Sequence, residues 1–214
     1  MLAGVVDAIS ILRLGGVFVA TMTGNLVFMG LAVAGAKGFA VGTSALAVGG
    51  FVIGALIGGK ACEGAQSHRG LALRNVLAVK LWLAGAVTVI AIATGPHFPI
   101  GARDAMLVLL AMSMGCQLAA IRFLKVPDLL TVVLTMTITG VLTERKRGWR
   151  DPAMLRRGLS LVAFAVGALS GALLILNVGV SAALLFGLGI LVAATIGAHQ
   201  VSRTDASWAA PRSA

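Results

Sequence analysis

Asp7, Gln117 and Arg122 stand inside apolar runs of this chain. An ionisable group at the middle of a membrane helix costs ~2.5–3.5 kcal/mol on insertion scales, so it marks a solute pathway, a relay or a buried pair. Asp7 shares a helical face with Ser10, three residues on. Arg122 ends its run, where a long stem can carry the charge to the membrane surface. Two further segments offer hydroxyl and amide groups. Thr21-Met22-Thr23-Gly24-Asn25 lies in the first half, with Thr21 and Asn25 on one helical face. In the second half Thr131, Thr135, Thr139 and Thr143 recur every fourth residue, and Thr139-Gly140 matches Thr23-Gly24. A single threonine on a membrane helix commonly bonds its own backbone or a neighbouring helix. A Thr-Gly pair repeated beside a helix break has a second use. It can line a cavity with hydroxyls and freed main-chain groups, which membrane depth tolerates only where protein or water satisfies them.

Asp7, Thr23, Gly24, Asn25, Gln117, Arg122, Thr139 and Gly140 are therefore the candidate lining for a small solute or ion. Asp7 is assigned to ion coupling or a structural pair, and Gln117 and Arg122 to solute contact or gating. On this reading Asn25→Leu abolishes flux and spares insertion. His68, His97 and His199 lie in or near loops, and no Cys/His cluster has metal-ligand spacing. No nucleophile elbow, phosphate loop or second carboxylate accompanies Asp7. Neither an enzyme nor a cofactor is expected. Cys62 and Cys116 lie in different runs and are expected to stay apart as thiols.

Composition assigns the class. Hydrophobic residues make up 59% of the 214 residues and charged residues 11%, and mean hydropathy is +1.02. A soluble domain of this length cannot hide that much apolar surface. The net charge of +10 is carried mainly in Lys60 to Lys80 and Arg145 to Arg157, between apolar runs. Only Trp149 is interleaved with it, so it reads as a topology signal and not as a nucleic-acid surface. The partner is the lipid bilayer.

The apolar elements are 2–13, 16–34, 40–59, 75–94, 104–122, 128–143, 158–176 and 180–201. They fall into two matching sets. Phe51-Val52-Ile53-Gly54-Ala55-Leu56-Ile57-Gly58 returns as Phe164-Ala165-Val166-Gly167-Ala168-Leu169-Ser170-Gly171, and Gly4-Val5-Val6-Asp7-Ala8 aligns with Gly115-Cys116-Gln117-Leu118-Ala119. Residues 2–34 would extend ~50 Å as one helix, too long for a ~30 Å hydrocarbon core. Gly15-Gly16 breaks that pair, and Val126-Pro127 breaks 104–143. If each broken pair makes one net crossing, the basic 60–75 and 144–157 loops both face the cytoplasm.

The fold expected is an all-α integral membrane protein of about six transmembrane crossings. Two inverted repeats, about 1–94 and 104–201, are each led by a broken helix. Together they form a single membrane domain, 1–201, and 202–214 is a flexible cytoplasmic tail. Both termini are cytoplasmic. The first span looks short on its N-terminal side, and no basic segment of a cleaved signal precedes it. The glycine faces Gly50, Gly54, Gly58 and Gly167, Gly171 invite close helix contact. The sequence leaves open whether they meet within the chain or in a homo-oligomer.

Gly4-Val5-Val6-Asp7-Ala8-Ile9, Gly16-Val17-Phe18-Val19, Met22-Thr23-Gly24-Asn25 and Met114-Gly115-Cys116-Gln117, with Arg122 and Thr139-Gly140, resemble the YoaK-type bacterial inner-membrane proteins. The resemblance covers nearly the whole chain. That family often has Asn after Gln in the second half, where this chain has Leu118. The resemblance implies a multi-pass bacterial inner-membrane protein built on a domain of unknown function, with no established substrate.

The inverted halves favour a small-solute or ion permease. The alternative is a non-transporting membrane scaffold or assembly partner that works through its glycine faces and basic loop. The crossing number has a direct check. Cysteines introduced as Arg69→Cys and Arg147→Cys are expected to react with an impermeant maleimide from the same membrane face. Labelling from opposite faces would establish eight crossings and parallel halves.

Overall fold

The computed structural model describes residues 1–64, 69–124 and 152–201. Seven helices lie among them: α1 (Leu2–Arg13), α2 (Met22–Val33), α3 (Val41–Glu63), α4 (Arg69–Thr94), α5 (Ile100–Phe123), α6 (Pro152–Asn177) and α7 (Val180–Val201). There is no strand among the described residues. Among the described residues, five stretches are long and apolar enough to cross a membrane: α3, α4, α5, Gly158–Asn177 of α6 and Val180–Gln200 of α7.

The apolar pattern located these helices, with shifts at their ends. Helix α4 starts at Arg69, so Arg69 and Arg74 lie on its first turns and not in a loop. Helix α3 runs on through Lys60 to Glu63. Charged residues extend a membrane helix past the hydrocarbon without breaking its backbone bonds. The second element does not start at residue 16: Gly16 to Thr21 are not helical, and α2 begins at Met22. The 128–143 element, Thr139-Gly140 and the 202–214 tail lie outside the described residues.

Glycine sets the helix pairing. Helix α3 packs most extensively on α5, and α1 on α6. On α3, a Cβ at Gly50 would fall 2.9 Å from the Val108 carbonyl oxygen, and one at Gly58 would fall 2.7 Å from the Cys116 Cα. Gly54 abuts the Met112 backbone. Both helices advance one turn between contacts, so α3 and α5 run parallel with backbones touching. The Cys116 thiol donates to the Gly54 carbonyl at 3.0 Å across this seam. Helices α1 and α6 meet in the same way. Gly167 abuts Met1, and Gly171 lies on Val5 and Ala8. From the other side, Gly115 rests on the Phe51–Ala55 backbone and Gly4 on the Phe164–Ala168 backbone. Both glycine faces are thus occupied within the chain.

The centre is apolar. Val5, Ile9, Leu107, Leu110, Met114 and Leu184 belong to one buried cluster. A void of ≈ 30 Å³ lined by Val5, Ile9, Leu110, Met114 and Leu184 among others lies there, too small for more than a few waters. Cys62 and Cys116 do not lie apart as expected. Both are free thiols in a second small cluster with Ala72, Val76 and Ala120, because the α3–α5 seam brings Gly58 against Cys116. The outer surface is apolar too: Trp82 is 82% exposed and Leu56, Leu169 and Leu176 also point outward, as lipid contact allows.

Alanine substitution separates packing from propensity. Gly54→Ala and Gly4→Ala push a methyl into a backbone and are expected to destabilise by about 1–3 kcal/mol or more. Gly49→Ala and Gly59→Ala, which face open space on the same α3, should be neutral or gain up to about 1 kcal/mol of helix propensity. Detergent-solubilised melting curves check both pairs; equal effects would mean the seam is not close-packed.

Candidate functional site

The first polar cluster closes the break between α1 and α2. After Arg13 the chain passes through Gly15 (φ 113) and Gly16 (φ 73), conformations that other residues adopt only with strain. Val17, Val19 and Ala20 are then buried outside any helix. Their main-chain groups need partners, because lipid offers none. Asp7 supplies two: its Oδ1 accepts from the Val19 and Ala20 N–H groups, each at 2.9 Å. Asn25 supplies the next two. Its Oδ1 accepts from the Phe18 N–H at 2.9 Å, and its Nδ2 donates to the Phe18 carbonyl at 2.6 Å. Gly24 leaves room for the Phe18 ring, which a Cβ there would meet at 2.8 Å. That ring stacks on Phe28 at 5.7 Å. At the far end of α1, Arg13 donates to the Pro96 carbonyl at 2.6 Å and lies over the Phe98 ring.

Two oxygens on one face of α1 have no hydrogen-bond partner, Asp7 Oδ2 and Ser10 Oγ, although the Thr21 side chain stands near the same carboxyl. Both residues are buried, at 3% and 0% exposure.

The second polar cluster joins the expected Gln117 to a residue that was not expected, Lys80. Lys80 on α4 is 2% exposed, and its Nζ donates to Gln117 Oε1 on α5. No carboxylate among the described residues pairs with it; the ion pair found there is the partly exposed Arg103–Asp104. Counted with the basic residues from Lys60 onward, Lys80 read as loop charge. Its position inside the apolar run 75–94 was the signal that set it apart.

Lys80 and Gln117 open on a cavity of ≈ 490 Å³ between the start of α1 and helices α4, α5 and α6, within the range that takes small organic ligands. Arg69 also lines it, its guanidinium donating to the Leu124 carbonyl. Leu73, Val76, Leu77 and Ile121 form apolar walls, and among the described residues no acidic side chain borders it. Met1, Leu2 and Ala3 at the start of α1 and Ser160 and Ala163 of α6 complete its wall.

The expected site residues therefore separate. Asp7, Gly24 and Asn25 meet at the break. Gln117 lies in the cavity with Lys80. Thr23 and Arg122 are exposed on the outside. The amide of Asn25 is engaged by the backbone and does not face a cavity.

These helices, apolar outward and polar at two buried points, make an α-helical membrane protein. The chain belongs to the family described as "Protein of unknown function (DUF1275)", whose model matches residues 1–197. It is 29% identical over 182 residues to the UPF0700 transmembrane protein YoaK of Bacillus subtilis (strain 168), covering 80% of this chain and 78% of that protein. No solved structure matches.

The break tests directly. Asp7→Ala leaves two buried N–H groups without an acceptor, and Asn25→Leu leaves the N–H and carbonyl of Phe18 unpaired, at about 1–3 kcal/mol per group. Both should lower the melting temperature and the yield of folded protein. Asp7→Asn keeps an acceptor at Oδ1 and should retain most of the stability. An Asp7→Ala protein as stable as wild type would remove this role.

Proposed function

We propose that this protein is a small-solute permease of the bacterial inner membrane, built from two inverted halves that cross the membrane about six times in all. The observation that carries the reading is the Lys80–Gln117 pair, an ionisable side chain held inside a membrane helix bundle and open to a cavity. Support for inverted halves comes from the glycine contacts. Gly4 on Phe164–Ala168 and Gly115 on Phe51–Ala55 join the recurring sequence motifs in equivalent ways. Each lead helix thereby packs on the glycine helix of the other half, and α1 and α5 hold the halves together.

In this reading the cavity is the vestibule open on the side of the basic 60–75 segment, the cytoplasmic face. Lys80 lies three turns into α4 from Arg69, ~16 Å at 1.5 Å per residue. The apolar centre lined by Ile9, Leu110 and Met114 is the closed side in this reading, and a packed centre is equally what the scaffold alternative expects. Asp7 first holds the break; its unpartnered oxygen and the Ser10 hydroxyl are the place for a coupling cation or proton. The scaffold alternative predicts a static bundle.

Alternating exposure distinguishes the two. In a Cys62→Ala/Cys116→Ala background, Leu77→Cys on the cavity wall should react with an impermeant maleimide quickly from the cytoplasmic face and more slowly from the other. Reaction from one face alone, at any exposure time, would favour the scaffold.

A further inference from the structure

We infer that Lys80 and Gln117 bind the headgroup of a singly charged oxyanion whose apolar body lies along the α4–α5 wall. The inference rests on the permease reading and names the class of solute it carries.

The donor and acceptor inventory at the deep end points to an anion. An ammonium has three donors and no acceptor, and a glutamine amide has two donors and one acceptor oxygen. Here that acceptor, Gln117 Oε1, is taken by Lys80 Nζ. What the pair keeps is donors, the other Nζ hydrogens and the Gln117 Nε2 group, on two helices, α4 and α5, that both line the cavity. The charge balance points the same way. A buried ammonium is costly without a counter-charge, and among the described residues Lys80 bonds a neutral amide and no carboxylate. A bound oxyanion would supply the missing charge. A dicarboxylate or a polyphosphate would place its further charge against Val76, Leu77 and Ile121, which offer it no donor. An apolar body fits those walls.

The full chain in phosphatidylcholine nanodiscs provides the test, with hexanoate, neutral hexanamide and hexylammonium as probes and a carboxylate series from acetate to decanoate. Hexanoate at ten times its Kd should raise the melting temperature by about 3–5 °C, and the amide and the ammonium should not. Lys80→Gln should abolish the rise, whereas Lys80→Arg should keep it. If Lys80→Gln does not fold, Gln117→Leu serves in its place and should weaken hexanoate at least tenfold. A second arm replaces the lipid by phosphatidylglycerol without carboxylate. Stabilisation there that competes with hexanoate and needs Lys80 identifies the anion as a lipid headgroup; its absence identifies a soluble carboxylate. An equal rise with hexanamide, a hexanoate effect that survives Lys80→Gln or Gln117→Leu, or no response across the series overturns the inference. Two-sided labelling of Leu77→Cys without anion binding would overturn this inference and leave the permease intact. Anion binding with one-sided labelling would do the reverse.

Discussion

A main-chain polar group inside a bilayer has no water to bond, and this constraint organises the first third of the chain. The chain turns out of α1 at Gly15-Gly16 and leaves the N–H groups of Phe18, Val19 and Ala20 without helical partners. Asp7, from the helix before, and Asn25, from the helix after, take all three. The break is therefore a closed unit, and α2 can start where it does only because the segment ahead of it is held. A carboxylate buried in an apolar bundle usually suggests chemistry. Here one of its oxygens has a structural task, and only the other is left over.

Close backbone contact is the second organising element, and glycine makes it possible. Gly50, Gly54 and Gly58 bring α3 onto α5, and Gly4, Gly167 and Gly171 bring α1 onto α6. In lipid, helix association gains from close packing more than from hydrophobic transfer, so these seams carry much of the cohesion. They also settle which polar groups meet. By fixing α5 against α3, the seam places Gln117 where Lys80 of α4 can reach it.

The two polar clusters differ in what is left unsatisfied. At the break, the amide of Asn25 bonds both main-chain polar groups of Phe18, and its Nδ2 also reaches Met22 Sδ. In the cavity wall, Lys80 bonds the neutral Gln117 and no carboxylate among the described residues. Residual bonding capacity beside a cavity is what a ligand can use, and it marks the second cluster as the more promising site.

Much of this was legible in the residues. Apolar runs located the described helices, the Gly15-Gly16 pair located the break, and Gly54 and Gly167 announced close packing, because period, length and side-chain size are local properties. Asp7 and Asn25 stood out as polar groups in apolar surroundings, but local pattern could not say that their partners would be the N–H groups between them. Lys80 was missed because its charge resembled that of the neighbouring loop. Whether a lysine snorkels to water or turns inward depends on which helix lies beside it, and that neighbour, α5, is remote in sequence. The chain alone thus determined a membrane bundle and its interruption. Tertiary structure decided which polar groups became structural bonds and which stayed open to a cavity, since hydrogen-bond satisfaction depends on neighbours that only the packed helices bring together.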